Sequence, residues 1–450
     1  MNLSGCFFIE IYSKGVKNIM ICSNIGINEK GHLTFAGQDT VELAKKYSTP
    51  LYLIDEEKVR EKMRIYVKAM KDNFPEGSMP LYASKALCFK KIYSIAAEEK
   101  MGVDVVSPGE LYTALHAGFP MENVYFHGNN KTDEDIEFAI KSKIGFFVCD
   151  NLDELETIDL TAAKHGIVQK ILLRLTPGID PHTHVKISTG KVDSKFGIAI
   201  ETGQAEEAIK SALDKKNVAL CGYHCHIGSQ TFDIKPFEDG ADIMLKFIAH
   251  IKDVCGYEAK ILNLGGGMGV KYVESDPDID YEKNIKGISD MMRRKCDELG
   301  ITLPTVLMEP GRSIVADAGM TLYTVGGTKE IPGYKNYVSI DGGMTDNPRY
   351  TLYESPYTIA LANKASEKPA MEYTVGGRCC ESGDLIQENV SLPQAHKGDI
   401  LAVMTTGAYN YSMASHYNRI PNPPVIMLNK GDSYVAVKRE TYADLMKNDL

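Results

Sequence analysis

The sequence predicts a closed (β/α)8 barrel of the TIM type, followed by a β-rich, Greek-key-like β-barrel domain at the C-terminus. Three observations predict it. Short apolar runs and helical stretches alternate strictly from Glu56 to Gly311. Eight such units fit into roughly 250 residues, which suits a closed barrel better than a doubly wound open sheet. Beyond Gly311 the helical period fades, and strand-like pieces recur between turn signals.

Taken in order, residues 1–25 read as an N-terminal extension. Its apolar patches, Phe7-Phe8-Ile9 and Ile19-Met20-Ile21, are interrupted by Glu10, Lys14 and Lys17, a pattern unlike a secretory signal. Residues 26–55 hold a helical patch at Val41 to Tyr47 and a strand at Leu51 to Ile54, and are expected to join the β-rich domain. Apolar residues at three- and four-residue spacing predict helices over Glu57–Phe74, Lys90–Lys100, Gly109–Gly118, Thr132–Ser142 and Leu152–His165. The expected barrel strands are Met79–Tyr82, Val103–Val106, Val124–Phe126, Phe146–Val148, Ile171–Leu175, Ala219–Tyr223, Ile261–Leu264 and Thr305–Met308. These place the barrel at 56–311 and the β-rich domain at 312–450, with strands around Met320–Val325, Tyr337–Ile340, Met371–Val375, Ile400–Val403, Pro424–Leu428 and Ser433–Val437.

Composition excludes several classes. A formal net charge of -10 argues against a general nucleic-acid or anionic-membrane binder. No apolar run reaches the roughly 18 residues of a membrane span. The 10 cysteines are scattered without CxxC pairs, which points to a reducing compartment and hence the cytoplasm.

In a barrel, chemistry collects where strands end. Lys85 follows an apolar strand through Ala83-Ser84. A lysine there either snorkels or, if desolvation lowers its pKa, serves as a neutral amine that forms a Schiff base. Gly265-Gly266-Gly267-Met268-Gly269 follows another strand, where backbone N–H groups can turn toward an anion. It fails the dinucleotide pattern, which requires glycine at Val270. His224 and His226 alternate on one strand face and leave two readings open: zinc ligation with a further ligand, or one ring stacked on a planar cofactor while Ser229 donates to its phosphate. Glu309 ends the last strand, three residues before Arg312. Together they make either a surface ion pair, or an acid for a pyridine nitrogen beside a fork for a carboxylate.

These stretches, Tyr82 to Ala86, His224 to Gln230, Gly265 to Gly269 and Glu309 to Arg312, resemble the pyridoxal-phosphate decarboxylases of the alanine-racemase-like fold. Gly343 to Arg349, Cys380 to Asp384 and Gly407 to Ser412 resemble the diaminopimelate decarboxylases among them, in order from about Gly31 to the end. The resemblance implies that Lys85 carries pyridoxal 5'-phosphate. His226 would stack on its ring, with Ser229 and the turn of Gly266 and Gly267 at its phosphate. Glu309 would pair with the ring nitrogen, and Gly311, Arg312 and Tyr409 would complete the cofactor site. Arg312, Arg349, Tyr353 and Tyr409 would contact the substrate, and Glu381 would receive its distal ammonium. Cys380 would return a proton to carbon, reaching in from the partner of a homodimer. Cys379 competes for that role, but adjacent residues on an extended segment face opposite ways. The expected activity is decarboxylation of meso-2,6-diaminopimelate to L-lysine, with no metal. Another basic amino-acid decarboxylase is the alternative, which the pair Arg312 and Arg349 disfavours because an extra carboxylate wants arginine. A non-catalytic homologue is the third reading.

Overall fold

The computed structural model describes residues 20–178 and 194–450; most of the expected N-terminal extension, residues 1–19, lies outside them. Eight parallel strands form the barrel. They are β1 (Met79–Ala83), β2 (Gly102–Val105), β3 (Val124–Phe126), β4 (Phe146–Cys149), β5 (Gln169–Thr176), β6 (Val218–His224), β7 (Ile261–Asn263) and β8 (Thr305–Met308). Closure comes from β8 pairing with β1, Leu307 opposite Met79, while β4 pairs with β5 on the far side. A two-residue strand, Ile198–Ala199, is added beside β5.

Local chemistry explains the alternation. The strands are apolar on both faces, as fits a parallel sheet covered by helices outside and filled within. Helices start at side-chain caps. Ser107 accepts from Glu110 N with Pro108 in the first turn, and Thr132 forms a reciprocal capping box with Asp135. The long helices Lys235–Cys255 and Tyr281–Leu299 stop at Gly256 and Gly300, both left-handed.

Inside the barrel, Leu81, Tyr125, Phe146, Val148, Leu172 and Leu307 form a buried cluster separate from the layer between strands and helices. Tyr125 and Phe146 stack at 4.6 Å. This plug fills the interior and leaves the C-terminal strand ends to carry the polar residues.

Of the remaining strands, Ile25–Ile27, Leu33–Phe35 and Gln38–Asp39 form a small three-stranded sheet, and the others make a nine-stranded mixed sheet. The longest member of the larger sheet, Gly319–Ile331, shifts register between Val325 and Gly327, so one half pairs with Ile400–Met404 and Leu51–Asp55 and the other with Lys335–Ile340. The early strand Leu51–Asp55 lies between Gly319–Ile331 and Val425–Asn429. Asp55 then caps helix Glu56–Asn73, which leads into the barrel. The sheet also docks a loop on the barrel mouth. Tyr409 N–H donates to Ala86 O at 2.8 Å, beside Lys85, and a Cβ at Gly407 would lie 1.8 Å from Val315 O.

One glycine is required by strand packing. A Cβ on Gly222, in β6 at a register shift against β5, would sit 1.9 Å from Ile261 O of β7. Gly222→Ala is expected to cost about 1–3 kcal/mol of stability through forced strand separation. An unchanged thermal unfolding midpoint would contradict this.

Candidate active site

Every barrel strand delivers a polar residue at or near its C-terminal end. Lys85 follows β1, Asp104 lies in β2, His127 follows β3 and Asp150 follows β4. Arg174 lies in β5, His224 ends β6, Asn263 ends β7 and Glu309 follows β8. All except Lys85 are buried. Lys85 instead reaches into a cavity of about 230 Å³ that Glu309 also lines.

Glu309 is the hub. Asn263 Nδ2 donates to Oε1 at 2.7 Å, and His127 Nε2 lies 3.0 Å from the same oxygen. His224 Nε2 sits 3.3 Å from Oε2. Burial opposes the ionised form, but the His127 and His224 rings overcome it and hold Glu309 well below the usual carboxylate range. Burial pushes His224 down to about 4 despite Glu309 beside it, so this imidazole is neutral near pH 7 and donates to the anion. The ligand atoms of His127, His224 and Glu309 lie within 4.8 Å of one another. Both rings are gathered on one carboxylate, His224 by a hydrogen bond and His127 by close approach.

Histidines 224 and 226, which strand alternation places together, have separate partners. His226 lines the cavity, and its Nδ1 accepts from Gly266 N–H at 3.2 Å, which leaves the proton of a neutral ring on Nε2. Burial, then Lys85, holds His226 well below its ordinary pKa.

Of the two readings the sequence leaves open for Lys85, a lowered pKa is the one its surroundings oppose. Although its side chain opens to the cavity, the surrounding protein desolvates the amine and disfavours its charge, yet Asp104, Tyr409 and Glu309 outweigh that and raise its pKa. The charged form of the amine is favoured because carboxylates stand at the ends of the neighbouring strands.

Opposite the acids, the glycine turn is a cradle open on the backbone. Gly265 and Gly267 adopt positive φ, 68° and 121°. A Cβ on Gly266 would meet Glu309 O at 2.1 Å, and one on Gly267 would meet Gly228 O at 2.2 Å. Gly266 backs the cavity wall rather than lining it. Ser229 stands beside the turn and accepts from Arg312 Nη2 at 3.0 Å, while Arg312 Nη1 donates to Tyr272 at 2.8 Å. Arg312 Nε is buried without a hydrogen-bond partner, and its guanidinium lies 4.7 Å from the Tyr409 ring centre. Gly311 lines the cavity too, against Ala83.

A second cation occupies the outer wall. Arg349 is only 5% exposed, stacked 4.2 Å from the centre of Tyr272 and 5.3 Å from that of Tyr357, with Nη1 unpartnered. Tyr353 and Tyr409 line the same cavity. Cys380 and Glu381 do not; both are exposed, and Cys380 N–H donates to Asn418 at 2.7 Å. Cys379 is buried, and burial with Asp384 pushes its thiol up to about 12.

The residue set fits pyridoxal 5'-phosphate. An amine faces the cavity, a donor-saturated carboxylate suits a protonated ring nitrogen, and the cradle that side chains would fill, with its orphaned guanidinium nitrogen, suits a phosphate. Sequence reading missed His127, Asp104 and Asn263. Each is one polar residue at the end of an apolar strand, a signal that becomes visible only when all the strand ends are compared.

The fold and these groups define a pyridoxal-dependent barrel enzyme. The model of the pyridoxal-dependent decarboxylase pyridoxal-binding domain matches residues 57–316. Diaminopimelate decarboxylase of Bacillus subtilis (strain 168) is 43% identical over 423 residues, 94% of this chain and 96% of that protein. The Bacillus methanolicus enzyme of that name is 46% identical over 417 residues, 92% and 96% of the two chains. The crystal structure of the M. jannaschii diaminopimelate decarboxylase in complex with L-lysine has a TM-score of 0.87 and 35% identity, covering 95% of this chain and 98% of that one. The chain belongs to the diaminopimelate decarboxylase family of pyridoxal-dependent decarboxylases.

If Asp104 holds the Lys85 proton, Asp104→Asn removes a negative charge and lowers the lysine pKa. Capture of pyridoxal 5'-phosphate by the cofactor-free chain, followed by absorbance, is expected to shift its pH profile to lower pH. An unmoved profile would contradict that electrostatic effect.

Proposed function

We propose that this chain decarboxylates meso-2,6-diaminopimelate to L-lysine and carbon dioxide, using pyridoxal 5'-phosphate in the barrel mouth. The observation that carries the substrate choice is Arg349: a buried guanidinium, aimed into the cavity, with aromatic faces but no carboxylate among the described residues. A substrate with a second, distal carboxylate supplies what it lacks.

When bound, the cofactor supplies a carbonyl that captures an amine and a ring that accepts an electron pair. Lys85 Nζ, which lines the cavity, would hold it covalently. His226 would pack on the ring face; Ser229, Gly267, Gly311 and Arg312 would hold the phosphate end, with Gly266 shaping the turn behind them and Tyr409 beside them. Glu309 would keep the ring nitrogen protonated, since hydrogen bonds from Asn263 and His224 and the nearby His127 ring already favour the anion. Arg349, with Arg312, Tyr353 and Tyr409, grips the distal end. The Cα–carboxylate bond breaks, carbon dioxide leaves, and a proton must return to carbon.

Cys380 of a second copy donates that proton, and Glu381 of the same copy takes the distal ammonium. The support is that both are exposed on this chain and absent from its own cavity wall. On this reading the enzyme is a homodimer divided into a barrel at 56–311 and a β-rich domain at 312–450 that includes 26–55. Cytoplasmic residence fits the cysteines, all free among the described residues. No helix among those residues is long and apolar enough to cross a membrane.

Carbon dioxide release from meso-diaminopimelate, but not from ornithine or arginine, tests the reaction. Lys85→Ala is expected to lose the cofactor band that borohydride bleaches, along with nearly all turnover. Cys380→Ala should keep the band and lose turnover by at least about 100-fold; Cys379→Ala should keep most turnover, and the reverse ranking would reassign the acid. Arg349→Ala should raise KM for diaminopimelate by about 100-fold, with a smaller change in kcat. Unchanged KM would remove the distal clamp.

A further inference from the structure

Two loops of the β-rich domain meet on one buried carboxylate. Asp384 is 3% exposed. Its Oδ1 accepts the Met344 N–H at 2.6 Å, and its Oδ2 accepts the Cys379 N–H at 2.6 Å. The slot is cut to the carboxylate: a Cβ on Gly343 would lie 2.4 Å from Oδ1, and one on Gly377 would lie 2.3 Å from both oxygens. A buried carboxylate is costly unless its lone pairs are used, and here they are spent on backbone.

The two N–H groups lead to different chemistry. Met344 lies just upstream of helix Arg349–Tyr353, which puts Arg349 and Tyr353 into this chain's own cavity. Cys379 immediately precedes Cys380 and Glu381. Further bonds close that turn around Asp384: Asp384 N–H donates to Glu381 O at 3.1 Å, Gly377 N–H to Asp384 O at 2.9 Å and Thr351 Oγ1 to Gly383 O at 3.0 Å. With its backbone held on both sides of Cys380, the turn has little freedom to move its thiol.

We propose that Asp384 is a positioning residue for the decarboxylation, fixing the Cys380–Glu381 turn that completes the active site of a second copy. This rests on the reading of Cys380 given above. The role is distinct from that of Arg349: Asp384 touches neither cofactor nor substrate, and acts on its partner's cavity through the turn.

Asp384→Asn keeps the size of the side chain but turns one acceptor into a donor facing an N–H. The holoenzyme variant is expected to retain the cofactor band and the KM for diaminopimelate, with kcat reduced roughly 10–100-fold. The decisive measurement mixes Asp384→Asn with Lys85→Ala chains under subunit exchange. The hybrid has one site with Lys85 from the first chain and an intact Cys380 turn from the second. At equal mixing, half the dimers are hybrids with one good site of two, so about a quarter of wild-type activity should return. A parallel mixture of Cys380→Ala with Lys85→Ala separates the two claims. If that control recovers activity and the Asp384 mixture does not, Asp384 acts only within its own chain and the proposal is overturned. If the control also fails, the shared-site reading falls and takes the proposal with it. Gly377→Ala, which presses on the carboxylate from the other side, provides an independent variant should Asp384→Asn fold poorly. Its kcat should fall and be restored in the same mixture, and wild-type kcat in Gly377→Ala would overturn the proposal.

Discussion

An ionised carboxylate at the mouth of an apolar barrel persists only if its neighbours hydrogen-bond it, and the arrangement around Glu309 follows from that constraint. Asn263, His224 and His127 come from β7, β6 and β3, so the three groups meet only once the barrel closes through β8 and β1. Asn263 has a second task. Its Oδ1 accepts the Gly265 N–H at 2.9 Å, and Gly265 O accepts the Glu309 N–H at 2.8 Å. The group that keeps Glu309 ionised is therefore bonded to the turn that forms the anion cradle. The acid and the glycine turn are held at a fixed spacing by one short chain of hydrogen bonds.

Charge balance explains the rest of the mouth. Lys85 is raised rather than lowered because Asp104 and Glu309 face it, and Arg174 of β5 offsets part of that field. Such a site stores its amine as a cation and gives an incoming carbonyl a polar, preorganised surface in place of water. The β-rich domain then narrows the opening. It contributes Tyr409, through a loop bonded to Ala86, and Arg349, whose charge rests on the faces of Tyr272 and Tyr357.

Much of this was legible in the chain. Strands and helices of the barrel announce themselves by period and by caps, because each must bury an apolar face and satisfy its own ends. Lys85, His226, Ser229, the Gly265–Gly269 turn and Glu309 stand out because each breaks the apolar pattern at a strand end within a compact motif. His127, Asp104 and Asn263 did not, since a lone polar residue after an apolar run has many ordinary explanations and its partner lies on another strand. The direction of the Lys85 shift stays open in the sequence for the same reason: burial can be read from flanking residues, whereas opposing charge is supplied by strands distant in sequence. The histidine pair shows the limit of alternation. Period two places His224 and His226 on one side, but says nothing of Glu309 drawing one ring and Gly266 the other.

By itself, then, the order of residues determined the alternating architecture, the lysine, the glycine turn and the acid that a pyridoxal enzyme needs, because those are local patterns of hydrophobicity and backbone freedom. Tertiary structure alone decided which imidazole serves which partner, how charged the lysine is, and that Arg349 faces the cavity without a counter-ion among the described residues while Cys380 and Glu381 face outward. Those properties depend on distances between groups that only the closed barrel and its docked sheet bring together, and electrostatic and hydrogen-bond energies are functions of distance rather than of sequence separation.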